Sequence, residues 1–290
     1  MESVMKLDSK QLKRIAFVCM CAGYAAALIP GIPVWFGWIG RISIPLFLFC
    51  SAWGFVYTSS RKKYILRLYI FSLLTAVVQC ICHVDYNFIQ TIFSVIVLLE
   101  VIEQSGKKPK IFIGYMVWQI AAACICLSSI QASSADTETF CFYILPVLFG
   151  SVISLEGGFI YVILGIIFYC YRENKKKLGI AFSLFTLICF ICNQFSIIYR
   201  VLYKLPYISW NGLDSVQDIL FSFVDWFGFP EGYPKSPLFE NNQWMMIFSL
   251  PLILLYNGKI SREGKTEKMF YYCAYPLLLM LLCFLGRVVV

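Results

Sequence analysis

Apolar runs dominate the chain, broken by short polar stretches. The runs at 13–30, 38–58, 65–82, 88–103, 111–130, 157–171, 178–200, 242–256 and 269–288 reach or approach the roughly 20 residues a helix needs to cross a bilayer. The breaks between them alternate in character. Basic residues cluster before Arg14, at Arg61-Lys62-Lys63, from Lys107 to Lys110, from Arg172 to Lys177 and from Lys259 to Lys268. The breaks at 31–37, 83–88 and 131–139 contain none. Because Lys and Arg mark cytoplasmic loops, this alternation predicts a cytoplasmic N-terminus over residues 1–12. The segment 140–155, FCFYILPVLFGSVISL, is equally apolar. A crossing there would put the Arg172 cluster outside, so the segment reads as a re-entrant or interfacial piece ending near Glu156-Gly157-Gly158. The alternative is one more crossing and a violated charge rule. The prediction is all-α: a polytopic membrane helical bundle of about nine to ten transmembrane helices, one domain over residues 1–290.

The stretch 201–240 is the one long loop, predicted on the extracytoplasmic side. Within it Leu213, Val216, Leu220, Phe223 and Phe227 recur at helical spacing beside Asp214, Gln217 and Asp218, the pattern of an amphipathic interfacial helix. Trp210, Trp226 and Tyr233 are residues that settle at headgroup level. Two readings stay open: a cap packed on the bundle, and a lid over an outward-facing site.

Composition removes the soluble alternatives. The chain is 60% apolar and only 14% charged, against about 25% charged in a soluble domain. The net charge of +8 sits in loops, with no Gly-rich phosphate loop or zinc-finger spacing, so nucleic acid is not an expected partner. Most of the 13 cysteines lie inside apolar runs, where Cys behaves as a small hydrophobe, so neither a disulfide framework nor a metal site is expected.

Charges inside a span are costly and usually functional. Arg41 and Arg67 stand early in the second and third runs. Each either snorkels to its interface or offers a guanidinium to a phosphate or carboxylate, with Arg61, Lys62 and Lys63 extending the anion site into the cytoplasm. Gln79, Gln90, Gln119, Asn193 and Gln194 read as interhelical hydrogen-bonding residues, and Glu100 and Glu103 as the polar end of the fourth span. The sole histidine, His83, falls in a loop, so no span carries a histidine base.

Three stretches carry a resemblance. GRISIPLFLFCSAWGFVYTSSRKKYILRL, LPLILLYNGK followed by FYYCAYPLLLMLL, and LKRIAFVCMCAGYAAALIPG are similar to the signatures of the TraX family. That family is named for N-terminal acetylation of conjugative pilin and looks related to a broader group of transmembrane acyltransferases. The resemblance implies an acyl-CoA-dependent transferase in a bacterial plasma (inner) membrane, with acetyl-CoA or another acyl-CoA as co-substrate, no bound cofactor, and a pilin-like or envelope acceptor. It also implies basic and polar residues for the CoA end: Arg41, Arg67, Arg61, Lys62, Lys63, Asn257 and Lys259. The family's ionisable positions differ here. An Asp-His pair in the first helix reads Gly23 and Tyr24, a Glu and a His in the second span read Trp53 and Tyr57, and a His after Tyr-Pro-Leu reads Leu278. Tyrosine is a weak base at neutral pH, with an ordinary pKa near 10. Three readings therefore remain: acyl transfer by an altered mechanism, with Glu156 as base and Tyr24 and Tyr57 orienting substrate; a non-catalytic relative binding an acyl carrier, lipid or protein partner; and a small-molecule transporter using Arg41 and Arg67.

Overall fold

The computed structural model describes residues 6–204, 216–229, 242–259 and 264–289. Its helices are α1 (Ser9–Leu28), α2 (Trp35–Tyr57), α3 (Arg61–Cys82), α4 (Phe88–Ser105), α5 (Lys110–Gln131), α6 (Ala135–Leu148), α7 (Ile160–Tyr171), α8 (Lys175–Phe195), α9 (Ile197–Leu202) and α10 (Val216–Phe227). A 3₁₀ segment (Asn242–Ser249), α11 (Leu250–Leu254) and α12 (Lys265–Val289) follow. Side chains at the ends start several of them. Asp8 forms a capping box with Gln11 at α1, and Asn87 and Asn174 cap α4 and α8. Six helices, α2, α3, α4, α5, α8 and the Met269–Val289 part of α12, are long and apolar enough to cross a membrane. This is a multi-pass helical membrane protein, as the hydropathy pattern predicts.

Contacts show which helix ends lie together. Lys10 pairs with Glu267 at 2.8 Å, and the Leu7 N–H donates to the Leu255 carbonyl at 3.0 Å. Lys175 donates to the carbonyls of Leu254 and Tyr256 at 2.6 and 2.7 Å, completing the end of α11. Arg61 pairs with Glu100 at 3.2 Å and with Glu103. The starts of α1, α3, α8 and α12 thus share one end with the ends of α4 and α11. This basic end is the one the charge pattern assigns to the cytoplasm.

Two departures from regular spans shape the interior. The run expected at 242–256 is not a plain α-helix. Eight residues at the 3₁₀ rise and five at the α rise reach about 23 Å, so this short stretch runs from beside Arg41 to the basic end. The run expected at 178–200 breaks at Ser196, whose left-handed backbone ends α8.

The second departure is α6. It enters from the far end and stops where Tyr69 donates to the Leu148 carbonyl at 2.8 Å and Trp118 to the Phe149 carbonyl at 3.0 Å. The connector 149–159 then turns back. Gln119 holds it twice, donating to the Gly150 carbonyl at 3.0 Å and accepting from the Val152 N–H at 3.1 Å. Gln90 donates to the Ser151 carbonyl at 3.3 Å and Thr91 to the Glu156 carbonyl at 3.1 Å. The polar span residues read as interhelical bonding groups are therefore, in part, tethers for this hairpin. It enters and leaves the bundle on one side.

Helix α2 is central, with Phe49 and Phe55 fully buried alongside Tyr161, Phe168 and Phe182. Its crossing with α1 is so close that a Cβ on Gly40 would lie 2.4 Å from the Gly23 Cα. Only glycine fits at this crossing. Outward, α3 presents Leu66, Ile70, Leu74, Val77 and Ile81 as an exposed apolar stripe, the face a lipid-bathed helix shows.

Helix α10 lies at the far end. Trp226 stacks on Phe159 with ring centroids 5.1 Å apart, and its indole N–H donates to the Val152 carbonyl at 2.7 Å. Trp210, Leu213, Asp214 and Tyr233 lie outside the described residues, as do the side chains of Val216, Gln217 and Asp218.

Candidate functional site

The connector delivers Glu156 into the bundle. Its Oε1 accepts from the Tyr24 hydroxyl at 2.7 Å and its Oε2 from the Tyr275 hydroxyl at 3.1 Å. The two tyrosine oxygens are 3.0 Å apart. Tyr275 in turn accepts the Phe88 N–H at 2.9 Å. That N–H opens α4, where unpaired amides and the helix dipole favour negative charge. Both phenols are almost fully buried, at 9% and 3% exposure. Glu156 stands on the connector rather than on a spanning helix.

Backbone geometry fixes this carboxylate. Gly157 and Gly158 follow it with φ of 76° and 80°. A Cβ on Gly157 would meet the Tyr161 ring at 1.9 Å, and one on Gly158 would meet the Gly228 Cα at 2.4 Å. Positive φ and close approach together require glycine.

Two cavities meet at the cluster. One, of about 320 Å³, runs from Lys13, Tyr57 and Arg67 at the basic end, past Cys50 and Ile92, to Phe88 and Tyr275. The other, of about 770 Å³, lies toward the far end and is lined by Arg41, Asp85, Glu156, Asp225, Trp226 and Asn242 among others. The Tyr275–Glu156 hydrogen bond joins the lining of the first to that of the second. Because Asp225 and Trp226 of α10 line the far chamber, the expected interfacial helix packs as a cap and also roofs a cavity.

The sequence-predicted residues separate into distinct places. Tyr24 and Glu156 come together. Tyr57 does not join them: it ends α2 at the basic end, 62% exposed and stacked on Trp53. Tyr24 lies some fifteen residues along α1 from that end, about 22 Å of helix. Arg67 lines the first cavity, its guanidinium 5.6 Å from the centre of the Tyr272 ring. Arg41 lines the second and donates through Nε to Asn242 at 2.7 Å. Arg61 is held by Glu100 and Glu103 and lies over Phe55 at 4.4 Å, while Tyr169 also donates to Glu103. Lys62 and Lys63 are exposed at the start of α3. Asn257 and Lys259 belong to the strap at the basic end. Asn257 donates its N–H to the Leu7 carbonyl at 2.9 Å and accepts from the Lys259 N–H at 2.8 Å. Two residues outside the sequence-predicted set join the site: Tyr275, visible in sequence only as a retained position of the C-terminal signature, and Lys13, hidden among the basic residues of the N-terminal stretch.

Such a bundle, with an inward-turned carboxylate between two chambers, defines a membrane-embedded site class rather than one activity. The TraX protein family model matches residues 8–286, and the chain belongs to that family. No curated protein and no solved structure matches it.

Proposed function

We propose that this TraX-family protein transfers an acyl group from acyl-CoA on the cytoplasmic side to a nucleophilic acceptor that enters from the opposite side of a bacterial inner membrane. The observation that carries this reading is the position of Glu156, lining the far chamber and hydrogen-bonded to a tyrosine of the first cavity. Lys13 and Arg67 at the first mouth suit the anionic end of CoA, and exposed Tyr57 offers a ring face for its base. The walls beyond, including Cys50, Phe88 and Ile92, suit the pantetheine arm and a short acyl group.

The step balances with these groups alone. Glu156 takes the proton from the acceptor hydroxyl or amine as that atom bonds to the thioester carbonyl carbon. The Tyr24 and Tyr275 hydroxyls turn from the carboxylate to the developing oxyanion. The C–S bond then breaks, and the departing thiolate takes the proton from Glu156. The donor and acceptor are thereby held on either side of one carboxylate, and positioning supplies part of the rate. Basic clusters at the end where the donor enters support the cytoplasmic assignment.

The test is transfer of label from [¹⁴C]acetyl-CoA to membrane acceptors by the purified protein in nanodiscs. Wild type labels an acceptor. Glu156→Gln, which keeps the volume and removes the base, loses at least a hundredfold in rate. Equal labelling by the variant removes Glu156 from the mechanism. Absence of labelling in wild type, with acceptor-bearing membranes supplied, points to a non-catalytic binding protein.

A further inference from the structure

Arg41 has a place in the far chamber that is separate from the basic residues of the first cavity. Its Nε is committed to Asn242, which is buried and begins the 3₁₀ segment. Its two terminal amino groups carry no hydrogen bond or ion pair among the described residues. No ion pair joins Arg41 to Glu156, although both line the chamber and interact through space. Asp85 and Asp225 also line it. Neither forms an ion pair with Arg41 among the described residues, and Asp225 is exposed on α10. The guanidinium is thus oriented by one bond, makes no ion pair with Glu156, and lines a cavity of about 770 Å³ with its two terminal amino groups uncommitted among the described residues.

We infer that Arg41 is the anion-recognition residue of the acceptor, so that the acceptor carries a phosphate or carboxylate next to the hydroxyl or amine that Glu156 activates. The inference rests on the transfer reading for the role of Glu156, whereas the anion site stands on geometry alone. Two parallel N–H donors match the two oxygens of a phosphate or carboxylate, and a low-dielectric chamber strengthens that pair. A neutral alcohol or amine leaves the guanidinium unpaired in the same chamber, which disfavours it. Discrimination then comes from the far chamber, while the first cavity selects the donor. The shared chemistry has two sources. One is an anionic lipid headgroup such as phosphatidylglycerol, which has hydroxyls beside its phosphate. The other is a water-soluble phosphate such as glycerol 3-phosphate.

The experiment measures binding and transfer in parallel. Protein in phosphatidylcholine nanodiscs receives glycerol 3-phosphate or glycerol, and a second preparation contains phosphatidylglycerol in the disc. Affinity is read calorimetrically for the soluble probes and by competition for the lipid. Transfer is read from [¹⁴C]acetyl-CoA. One of the two phosphate-bearing probes is expected to bind at least tenfold more tightly than glycerol. That preference is lost in Arg41→Gln and partly kept in Arg41→Lys. The two arms identify whether the source is lipid or soluble. The wild-type comparison stands even if Arg41→Gln destabilises the 3₁₀ segment through Asn242. Equal binding of glycerol and glycerol 3-phosphate, with no effect of phosphatidylglycerol, overturns the inference, as does an anion preference unchanged in a folded Arg41→Gln. Arg41-dependent anion binding without any acetyl transfer upholds the site and overturns the transfer reading. Transfer to glycerol at the same rate as to the phosphate-bearing probes does the reverse.

Discussion

At the scale of the residue, the chemistry concentrates in one carboxyl group and the hydroxyls that hold it. The Glu156 carboxylate accepts from both tyrosine hydroxyls and lines the far chamber. A general base works only when deprotonated. Acyl transfer should therefore rise with pH as Glu156 loses its proton and level off above that, provided that chemistry limits the rate. Glu156→Gln should flatten that limb, and a pH–rate profile of wild type and variant checks it. Tyr275→Phe removes the hydroxyl that accepts the Phe88 N–H and donates to Glu156. A hydrogen bond to a charged group contributes about 1.5–3 kcal/mol, so the variant should lose stability on that order in a thermal melt. The glutamate itself was legible in the sequence as the polar end of an apolar segment. Its tyrosine partners were only partly so. Tyr24 stands where the TraX resemblance implies a histidine, but nothing in the local sequence links Tyr275 to residue 156. Their contact spans 119 positions and depends on how the connector folds back.

The hairpin made by α6 and the connector 149–159 decides where that glutamate stands. Hydropathy showed an apolar run at 140–155, and charge parity favoured a piece that does not cross. The tethers on α4 and α5 supply the physical reason. A non-helical backbone at this depth needs its amides and carbonyls satisfied by protein, and Gln90, Thr91 and Gln119 do so. Gln119→Leu should leave the Val152 N–H and the Gly150 carbonyl without their partner. The cost should be about 1–3 kcal/mol, seen as a lower melting temperature together with faster amide exchange at the connector. Gly157→Ala should act more locally, because its Cβ meets the Tyr161 ring while the helices remain. The 3₁₀ stretch at 242–249 was not legible, since periodicity distinguishes apolar from polar faces and does not report the rise per residue. Nor did the basic triplet at 61–63 reveal that Arg61 is spent on Glu100 and Glu103. Those carboxylates lie about forty residues away and read locally as a solvated helix end.

For the whole molecule, the two cavities imply a direction. The first opens beside Lys13, Tyr57 and Arg67 at the basic end, and the second lies under α10 at the other. If Glu156 is the meeting point, donor and acceptor are supplied from opposite faces, and neither side alone suffices. Sealed vesicles test this. Inside-out vesicles expose the basic end to the medium and should incorporate label from added acetyl-CoA, which does not cross the bilayer. Right-side-out vesicles should remain unlabelled until they are permeabilised. Closing the first cavity gives a second arm. Gly54 lies in its wall, and a Cβ there would stand 3.6 Å from the Tyr64 hydroxyl, so alanine is tolerated and leucine fills the space. Gly54→Leu should weaken acetyl-CoA binding at least tenfold while leaving anion binding in the far chamber unchanged, since no residue of that chamber is altered. Labelling of both vesicle orientations to the same extent would mean that the donor reaches Glu156 without passing the basic end, and the two-sided architecture would then have no part in the reaction.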